Sequence, residues 1–466
     1  MRYSGLMARR VMLVGLDCVP PGLAFERYRA HMPNLSALCA RGAHARLRST
    51  TPPITVPAWT AMVSGRDPGE LGLYGFRKRV PGSYELALAS SADVTVERVW
   101  DRLAREGLRS SVIAVPPSSP PFPVEGELVS CFLTPTAEQP HTYPAQLAGE
   151  LRARFGAYVP DVEVRAAARD GLEAQLVRMT RQHFEIARHL WETREPDFMM
   201  FVEIGPDRLH HAFYADMDDS HPLHDPASPY LGVGERYYAM LDAELGRLVA
   251  EADDDTAILV ASDHGARPLR GAFRINEWLV REGLLVLRAR PPAPVPLTAA
   301  HVDWSRTRAW AEGGYYARVF LNVRGREPEG CVAPSDAPAL VARLRDALAA
   351  LKGPHGERWD NMVEPPHALY REVRGLAPDL LAIFDGLNVR PIATIGADTL
   401  YAARDDRDAD ACNHDMHGIF VCAGAGVEAR GDLGECAIQD VGATVLGLFG
   451  VAPPADWLGR DRSRAS

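Results

Sequence analysis

The run VMLVGL at residues 11–16, which ends directly at Asp17, is the first of six short and mostly apolar stretches. The others span residues 111–115, 198–204, 257–261, 380–384 and 419–423. They are continuously apolar rather than alternating, which is typical of strands buried on both faces of a parallel sheet. Amphipathic helical patterns separate them at residues 94–106, 172–195 and 237–251. This alternation predicts an α/β fold with a doubly wound, mostly parallel sheet flanked by helices.

Two stretches interrupt the alternation. Residues 116–144 contain eight prolines and are interpreted as a long surface excursion. Residues 291–376 combine a proline-rich opening with a strand-like segment at 316–323 and a helical pattern at 337–351. We therefore expect a smaller α+β subdomain at 291–376, inserted into a main α/β domain formed by residues 1–290 and 377–466.

The composition excludes several classes of protein. Against 51 lysines and arginines stand 61 aspartates and glutamates, so the net charge is −10 and a general nucleic-acid binder is disfavoured. The seven cysteines include no C-x-x-C pair, so neither a disulfide framework nor a thiolate zinc site is indicated. No uncharged apolar run approaches the length of a membrane span. We expect a cytoplasmic protein whose partner is neither a nucleic-acid polymer nor a membrane.

Side chains able to bind metal ions lie close to the ends of the predicted strands. Asp207 and His211 are four positions apart, so a helical turn would place both on one face. Because the functional sites of doubly wound sheets gather beyond the carboxyl ends of the strands, we expect these side chains to converge. Three carboxylates and three imidazoles suit a pair of borderline-hard divalent ions. The set consists of Asp17, Asp207, His211, Asp263, His264 and His414.

Each of these residues also has a simpler interpretation. An aspartate after a strand is usually a turn former or a helix cap, and a single D-x-x-x-H pattern arises by chance in many helices. His210 stands beside His211, and His417 follows His414 three positions later, so either histidine of each pair could be the ligand. Only the joint placement of the residues favours a metal centre.

The segment TTPPITVPAWT at residues 50–60 places a hydroxyl group in a restrained backbone. Pro52, Pro53 and Pro57 limit the conformations available around Thr55. At a loop-to-helix junction, such a hydroxyl can point at a metal pair while the first amides of the helix face an anion. The alternative is a proline-rich turn in which Thr55 only caps a helix.

These motifs occur in an order that resembles the type I phosphodiesterase/nucleotide pyrophosphatase branch of the alkaline phosphatase superfamily. The resemblance runs from about residue 10 to residue 460 and implies an alkaline-phosphatase-like sheet. The set of motifs is specific, although each motif alone is not. It comprises Asp17, the segment TVPAWT…SGR that begins at Thr55, D-x-x-x-H at Asp207, D-H-G at Asp263 and H-x-x-x-G at His414.

The resemblance implies two zinc-like divalent ions. The first would be bound by Asp207, His211 and His414. The spacing of the family motifs favours these two histidines over His210 and His417.

The second ion would be bound by Asp17, Asp263 and His264, with Thr55 beside it as metal contact and nucleophile. Zinc is the expected metal, while manganese and iron are alternatives that the same ligands tolerate.

The sequence departs from the nucleotide pyrophosphatases at one functional position. The family carries an asparagine 21 positions after the nucleophile, and counting from Thr55 leads to Phe76. The contact of that asparagine with a phosphoryl oxygen is therefore missing or supplied from elsewhere, so nucleotide specificity should not be assumed. The related sulfatases are disfavoured, because their arginine would fall on Trp59 and Thr55 cannot become a formylglycine.

The resemblance and the residues together predict a metal-dependent phosphoric-ester hydrolase that acts on a small molecule. We expect the phosphodiesterase/pyrophosphatase type, with a phosphothreonine intermediate on Thr55. A phosphomonoesterase or phosphomutase of the same superfamily is the alternative. A third hypothesis is a non-catalytic metal-binding protein on this fold. Its sequence would lack the nucleophile or one of the metal ligands.

Overall fold

The computed structural model describes residues 7–162, 169–405 and 410–465. At the centre of the molecule is a nine-stranded sheet, and all its strands but two run in the same direction. The exceptions are His417–Gly424 and the edge strand Thr142–Tyr143. In spatial order the strands are Gly431–Ala437, Ala43–Arg48, His417–Gly424, Thr256–Ala261, Arg10–Leu16, Phe198–Glu203, Ser110–Ile113, Gly126–Val129 and Thr142–Tyr143.

The strand Arg10–Leu16 occupies the middle of this sheet, between the parallel strands Thr256–Ala261 and Phe198–Glu203. Nearly every side chain of these three strands is buried, which explains their continuously apolar sequences. Alternate residues point to opposite faces, so that Met12 packs into one core and Leu13 into the other. The predicted doubly wound, mostly parallel sheet is confirmed.

Helices cover both faces of the sheet. Among the described residues, five α-helices belong to the core that contains Met12, namely Pro33–Arg41, Leu147–Phe155, Leu172–Arg194, Gly205–Met217 and Val233–Val249. The opposite core contains residues of Thr55–Ser64, Val99–Arg105 and Gln439–Leu448. Burial of apolar surface, worth about 25 cal/mol per Å², holds these layers together. Within the described ranges, no helix combines the length and the apolar character needed to cross a membrane.

The interpretation of residues 116–144 as a surface excursion is wrong in part. This stretch contains the strands Gly126–Val129 and Thr142–Tyr143, which extend the main sheet at one edge. Two short strands among many prolines give little periodic signal, since proline interrupts the apolar pattern that marks a strand.

The apolar run at residues 380–384 forms a strand, Leu380–Ile383, but this strand is not part of the main sheet. It lies in a separate four-stranded antiparallel sheet with Ala309–Glu312, Ala317–Leu321 and Met362–Glu364. The helix Ala337–Ala349 shares the apolar core of this sheet. A buried strand has the same apolar sequence in either sheet, so local pattern could not assign it.

Most of the remaining short elements also lie between the main-sheet strands Thr256–Ala261 and His417–Gly424. The predicted boundary at residue 376 would separate the strand Leu380–Ile383 from the other three strands of its sheet. The division into a main domain and an insertion stays a prediction. In a three-stranded sheet, Gly271–Arg274 lies between Val389–Ile392 and Tyr401–Ala402. Two-stranded sheets join Gly265–Pro268 with Cys412–Asp415, Val295–Pro296 with Thr394–Ile395, and Arg77–Arg79 with Leu86–Leu88. Short α-helices lie at Pro68–Leu71, Ile275–Arg281 and Pro366–Leu369, and a π-helix spans Gly22–Arg27.

The reversed strand His417–Gly424 brings a late part of the chain to the functional edge of the sheet. Because it is antiparallel, its first residues lie beside the last residues of its neighbours, and Phe420 pairs with Ala261. On its other side, His417 pairs with Arg48 at the end of the strand Ala43–Arg48. Residues before this strand therefore meet residues that follow the parallel strands.

Candidate metal centre and active site

The structure brings all seven predicted site residues to this edge of the sheet, and all are buried. Asp17 directly follows the central strand, and Asp263 and His264 follow the neighbouring strand Thr256–Ala261. Asp207 and His211 lie on the first turns of the helix Gly205–Met217, His414 lies on the short strand Cys412–Asp415, and Thr55 begins the helix Thr55–Ser64.

One cluster consists of Asp207, His211 and His414, whose ligand atoms all lie within 4.8 Å of one another. The Nε2 atom of His211 is 3.2 Å from Oδ1 of Asp207, and Nε2 of His414 is 3.7 Å from the same oxygen. The i, i+4 spacing on a helix accounts for the first of these distances.

The second cluster consists of Asp17, Asp263 and His264. His264 Nε2 lies 3.2 Å from Oδ2 of Asp263, 3.7 Å from Oδ1 of Asp17 and 3.2 Å from the hydroxyl oxygen of Thr55. The imidazoles of His264 and His414 stack with their centroids 3.8 Å apart, so the two clusters are adjacent. The Thr55 hydroxyl therefore faces a paired site.

The three carboxylates share one pattern of hydrogen bonding. One oxygen of each is held: Asp17 accepts from the indole of Trp59 at 2.8 Å, and Asp263 accepts from the Cys18 amide at 3.2 Å. Asp207 accepts a bond of 2.7 Å from the neighbouring guanidinium of Arg208. The other oxygen of each carboxylate is buried without a hydrogen-bond partner.

The three histidines follow the same pattern. Their Nδ1 atoms are bonded to oxygen atoms, of the Asp410 carboxylate for His211 at 2.9 Å and of the Pro53 carbonyl for His414 at 2.9 Å. Nδ1 of His264 donates to the Gly265 carbonyl at 3.1 Å. These bonds leave each Nε2 facing the clusters, as in metal sites where an outer oxygen fixes the orientation of a histidine.

Buried ligand atoms that lack a hydrogen bond show how well the site suits metal ions. Asp17 Oδ1, Asp207 Oδ1, Asp263 Oδ2 and His414 Nε2 are all buried without a hydrogen-bond partner. A buried polar atom that lacks a partner costs about 1–3 kcal/mol, so four together in one pocket are unusual. All four can coordinate a cation, and the mixture of carboxylate oxygen and imidazole nitrogen fits a pair of divalent ions.

The electrostatics of the site are consistent with this fit. Burial, together with repulsion from nearby carboxylates, raises the pKa values of Asp17 and Asp263 well above their usual range. Burial lowers the pKa of His264 to about 4 and also lowers the pKa of His414, so both imidazoles are neutral near pH 7. Crowded carboxylates beside neutral imidazoles form an environment that a cation would stabilise.

His211 and Asp207 have the opposite shifts. Burial opposes the charging of His211, yet the carboxylate of Asp410 and other neighbours raise its pKa well above the usual value. Burial likewise opposes the ionisation of Asp207, but His211 and Arg208 hold its pKa well below the usual range. Without a cation, His211 thus compensates part of the negative charge of the site.

The structure separates the two histidine pairs that spacing left open. His210 contributes no atom to the clusters and shares a hydrogen bond of 3.0 Å with the Tyr238 hydroxyl. His417 is partly exposed and lies 2.8 Å from the Glu435 carboxylate. Only His211 and His414 of the two pairs contribute atoms to the clusters formed by described residues.

Two residues at the site were not predicted from the sequence. The Tyr315 hydroxyl lies 3.1 Å from Nε2 of His211, and its ring stacks on His414 with centroids 3.7 Å apart. Asp410 links His211 to Arg390, which donates to the second Asp410 oxygen at 2.8 Å. An aspartate four positions before a candidate ligand is a weak hint, whereas Tyr315 lies outside every motif.

A cavity of about 490 Å³ opens beside the two clusters. Its lining includes Ile54, which precedes Thr55, together with Tyr315 and Arg208. Phe76, at the position where the family has asparagine, also lines this cavity. At this position the chain presents an aromatic ring without a hydrogen-bond donor to the cavity.

The fold and the site together define an alkaline-phosphatase-like protein with a hydroxyl group facing a paired metal-type centre. A sequence model described as type I phosphodiesterase / nucleotide pyrophosphatase matches residues 11–419. The chain therefore belongs to the type I phosphodiesterase/nucleotide pyrophosphatase family. A comparison with curated protein sequences found no match.

Solved structures show the same fold at low sequence identity. Murine ectonucleotide pyrophosphatase/phosphodiesterase 5 is 13% identical and superposes with a TM-score of 0.55, covering 95% of this chain and 96% of its own. Phosphonoacetate hydrolase from Sinorhizobium meliloti, in complex with phosphonoacetate, is 15% identical with a TM-score of 0.58. That match covers 89% of this chain and 90% of the hydrolase.

Proposed function

We propose that this protein is a two-metal phosphoric-ester hydrolase of the phosphodiesterase type, with Thr55 as its nucleophile. The observation that carries the proposal is the group of four unpaired ligand atoms buried beside the Thr55 hydroxyl. Membership of a phosphodiesterase family supports the reaction class. Similar folds that have been solved with AMP and with phosphonoacetate support a small-molecule phosphate or phosphonate as substrate.

In this proposal Asp207, His211 and His414 hold one divalent ion. Bound there and at the neighbouring site, divalent ions would supply Lewis-acid chemistry that lowers the pKa of the Thr55 hydroxyl and stabilises charge on the leaving oxygen. Zinc is the expected ion, with manganese or iron as alternatives.

Asp17, Asp263 and His264 hold the second ion, and Thr55 stands next to it. The hydroxyl oxygen of Thr55 attacks phosphorus, so a bond forms between this oxygen and phosphorus while the ester P–O bond breaks. The proton of Thr55 passes to solvent, and the leaving group departs with the electrons of the broken bond and takes up a proton to become the alcohol. Water then cleaves the phosphothreonine. This sequence returns the Thr55 hydroxyl and releases a phosphate or phosphate monoester.

Other groups of the chain bind the phosphoryl oxygens. The amides of Thr55 and Val56 have no acceptor inside their own helix, so its N-terminus offers donors to an anion. The Tyr315 hydroxyl, close to His211, is placed to donate the hydrogen bond that the family's asparagine would supply. Phe76, at that sequence position, has no side-chain donor.

The decisive experiment measures the hydrolysis of bis(p-nitrophenyl) phosphate by the metal-loaded protein and by Thr55→Ala. We expect Thr55→Ala to lose roughly three or more orders of magnitude in kcat, as when other nucleophiles are removed, while it keeps its bound metal. Thr55→Ser, which keeps a hydroxyl, is the matched control and should retain measurable turnover. Undiminished activity of Thr55→Ala would remove Thr55 from the mechanism.

The same assay with p-nitrophenyl phosphate separates the alternatives. A larger kcat/KM for the diester supports the phosphodiesterase, whereas a larger value for the monoester supports a phosphomonoesterase of the same superfamily. Metal-loaded, folded protein that hydrolyses neither ester nor a pyrophosphate would favour the non-catalytic alternative.

A further inference from the structure

The cavity beside the metal-type clusters has a cationic lining in an otherwise acidic protein. The net charge of the chain is −10. Nevertheless, four guanidinium groups line the cavity, against the carboxylates of Asp161, Glu312 and Asp405. The arginines are Arg77, Arg208, Arg318 and Arg390.

Two of these arginines form hydrogen bonds with carboxylates at the site. Arg208 forms two hydrogen bonds with Asp161, of 2.7 and 2.8 Å, and also holds Asp207. Arg390 holds Asp410, which in turn orients His211. Their charges are therefore already compensated by neighbouring carboxylates.

Arg318 differs from this pair. It lies on the strand Ala317–Leu321 and is only 8% exposed, so its guanidinium is largely withdrawn from solvent. It donates a hydrogen bond to the Arg77 carbonyl. Among the residues that the structure describes, no carboxylate lies within the 4.0 Å of an ion pair with Arg318. Its cross-strand neighbour Glu312 also lines the cavity. A buried, always-charged guanidinium that forms no ion pair is costly, and an incoming anion would relieve that cost.

The wall of the cavity around Arg318 includes Gly75, Phe76 and Phe132. A Cβ atom on Gly75 would lie 2.7 Å from the Tyr316 hydroxyl and 3.5 Å from Nη1 of Arg318. The adjoining rings of Phe76 and Phe132 meet edge to face with centroids 6.2 Å apart. The cavity thus combines an aromatic wall for an organic group with a cation for an anion.

We propose that the cavity accepts the organic part of the substrate and that Arg318 binds a second anionic group on it. The substrate class is then a phosphoric ester whose esterified alcohol carries a carboxylate or a further phosphoryl group. This inference rests on the proposed function, because the cavity receives the substrate only if Thr55 is the nucleophile.

The test compares three phosphodiesters that share p-nitrophenol as leaving group, assayed with the metal-loaded enzyme. Their second alcohol is methyl glycolate, which is neutral, or glycolate, which adds a carboxylate, or 2-hydroxyethyl phosphate, which adds a phosphoryl group. A hydrogen bond to a charged group contributes enough to change kcat/KM roughly 10- to 100-fold. We expect at least one anionic ester to exceed the neutral ester by this factor, and the better of the two identifies the anion.

Variants assign the preference to Arg318. We expect Arg318→Gln to bring the ratio of anionic to neutral kcat/KM close to one, and Arg318→Lys, which keeps the cation, to retain most of the preference. Arg324→Gln removes an equal charge from an exposed position outside the cavity and should leave the ratio unchanged. If Arg318→Gln does not fold, the wild-type ratio and the lysine variant decide.

Several results would overturn the inference. They are a wild-type ratio close to one, an unchanged ratio in Arg318→Gln, or an equal fall in Arg324→Gln. In each case the proposed function stands if the neutral ester is still hydrolysed in a Thr55-dependent way. If the folded, metal-loaded protein hydrolyses none of the three esters, the proposed function fails and this inference falls with it.

Discussion

At the scale of single residues, each carboxylate of the site uses one oxygen for a hydrogen bond within the protein and leaves the other oxygen without one. Asp17 gives one oxygen to the Trp59 indole and leaves the other unpaired, and Asp263 divides its oxygens in the same way. The held atom fixes the rotamer, so the unpaired atom keeps its direction without a ligand. Such preorganisation means that a cation does not have to pay for ordering the carboxylates.

The first residue-scale prediction concerns the paired histidines. Replacing His211 with Ala should lower the bound metal by about one equivalent, because His211 is one of three ligands of its cluster. His210→Ala is the matched control, since His210 is equally buried but bonds to Tyr238. Elemental analysis of both purified variants makes the comparison. Unchanged metal in His211→Ala, or an equal loss in His210→Ala, contradicts the ligand assignment.

The second residue-scale prediction concerns the metal-free protein. The pKa of Asp17 is raised by burial and by Asp207, so the folded state binds a proton more tightly than the unfolded state. Stability is therefore lost as the pH rises through the folded pKa. We expect metal-free Asp17→Asn to be more stable than metal-free wild type at pH 8, because the amide carries no charge to be desolvated or to repel Asp207.

Urea unfolding in the presence of a chelator measures this difference. Asp219→Asn, at an exposed position, removes the same charge and should change the free energy of unfolding by less than about 0.5 kcal/mol. With metal present the order should reverse, because Asp17→Asn loses a ligand. A metal-free Asp17→Asn protein that is less stable than wild type would show that repulsion among the carboxylates is not significant.

At the scale of secondary-structure elements, the contact between the central strand and the helix Thr55–Ser64 places the nucleophile. Trp59 of this helix packs directly over Gly15, where an added Cβ would lie 2.5 Å from the indole and 2.8 Å from a methyl group of Val202. The same indole donates to Asp17. One glycine therefore sets the distance between the element that carries Thr55 and the element that ends at Asp17.

The element-scale prediction follows from this contact. Gly15→Ala should destabilise the protein by about 1–3 kcal/mol through overpacking, and should lower kcat because Trp59 and Thr55 move together. Gly22→Ala is the control, because its Cβ would meet no atom within 4 Å. Thermal unfolding and diester hydrolysis are measured on both variants. Wild-type stability and activity in Gly15→Ala would show that the helix is positioned by other contacts.

At the scale of the whole molecule, the site is assembled from segments far apart in sequence. The main sheet carries Asp17 and Asp263 after its strand ends and packs against the helix that begins at Thr55. The four-stranded sheet carries Arg318, and the loop between its strands Ala309–Glu312 and Ala317–Leu321 carries Tyr315. Cations bound to the clusters would join these parts and stabilise the folded state, which binds them better than the unfolded chain.

The whole-molecule prediction is that metal removal lowers the thermal stability. A ligand present at 100 times its dissociation constant adds about 2.7 kcal/mol to the free energy of unfolding. Chelation should therefore lower Tm by several degrees, and added zinc should restore it in proportion to the logarithm of its concentration. Differential scanning calorimetry with and without chelator makes the measurement, with calcium, which prefers six to eight oxygen ligands, as the control ion. A Tm that responds to none of zinc, manganese and iron contradicts the metal centre.

Some features of the protein were determined by sequence alone. Residues 11–16 and their equivalents were recognisable because a strand buried on both faces must be apolar throughout. The residues also indicated the candidate ligands and Thr55, because the i, i+4 pair and the strand-end positions are local consequences of the fold, and the resemblance to the family favoured His211 and His414 over His210 and His417.

Other features were decided only by the tertiary structure. The strand Leu380–Ile383 joined the smaller sheet, and the short strand Gly126–Val129 extended the main sheet, because sheet pairing depends on long-range contacts that a local pattern does not encode. Tyr315, Arg318 and Asp410 reached the site for the same reason: their positions depend on how distant segments pack. Sequence thus specified the chemical groups nearest the proposed reaction. Tertiary packing determined which residues hold those groups in place and which residues line the cavity.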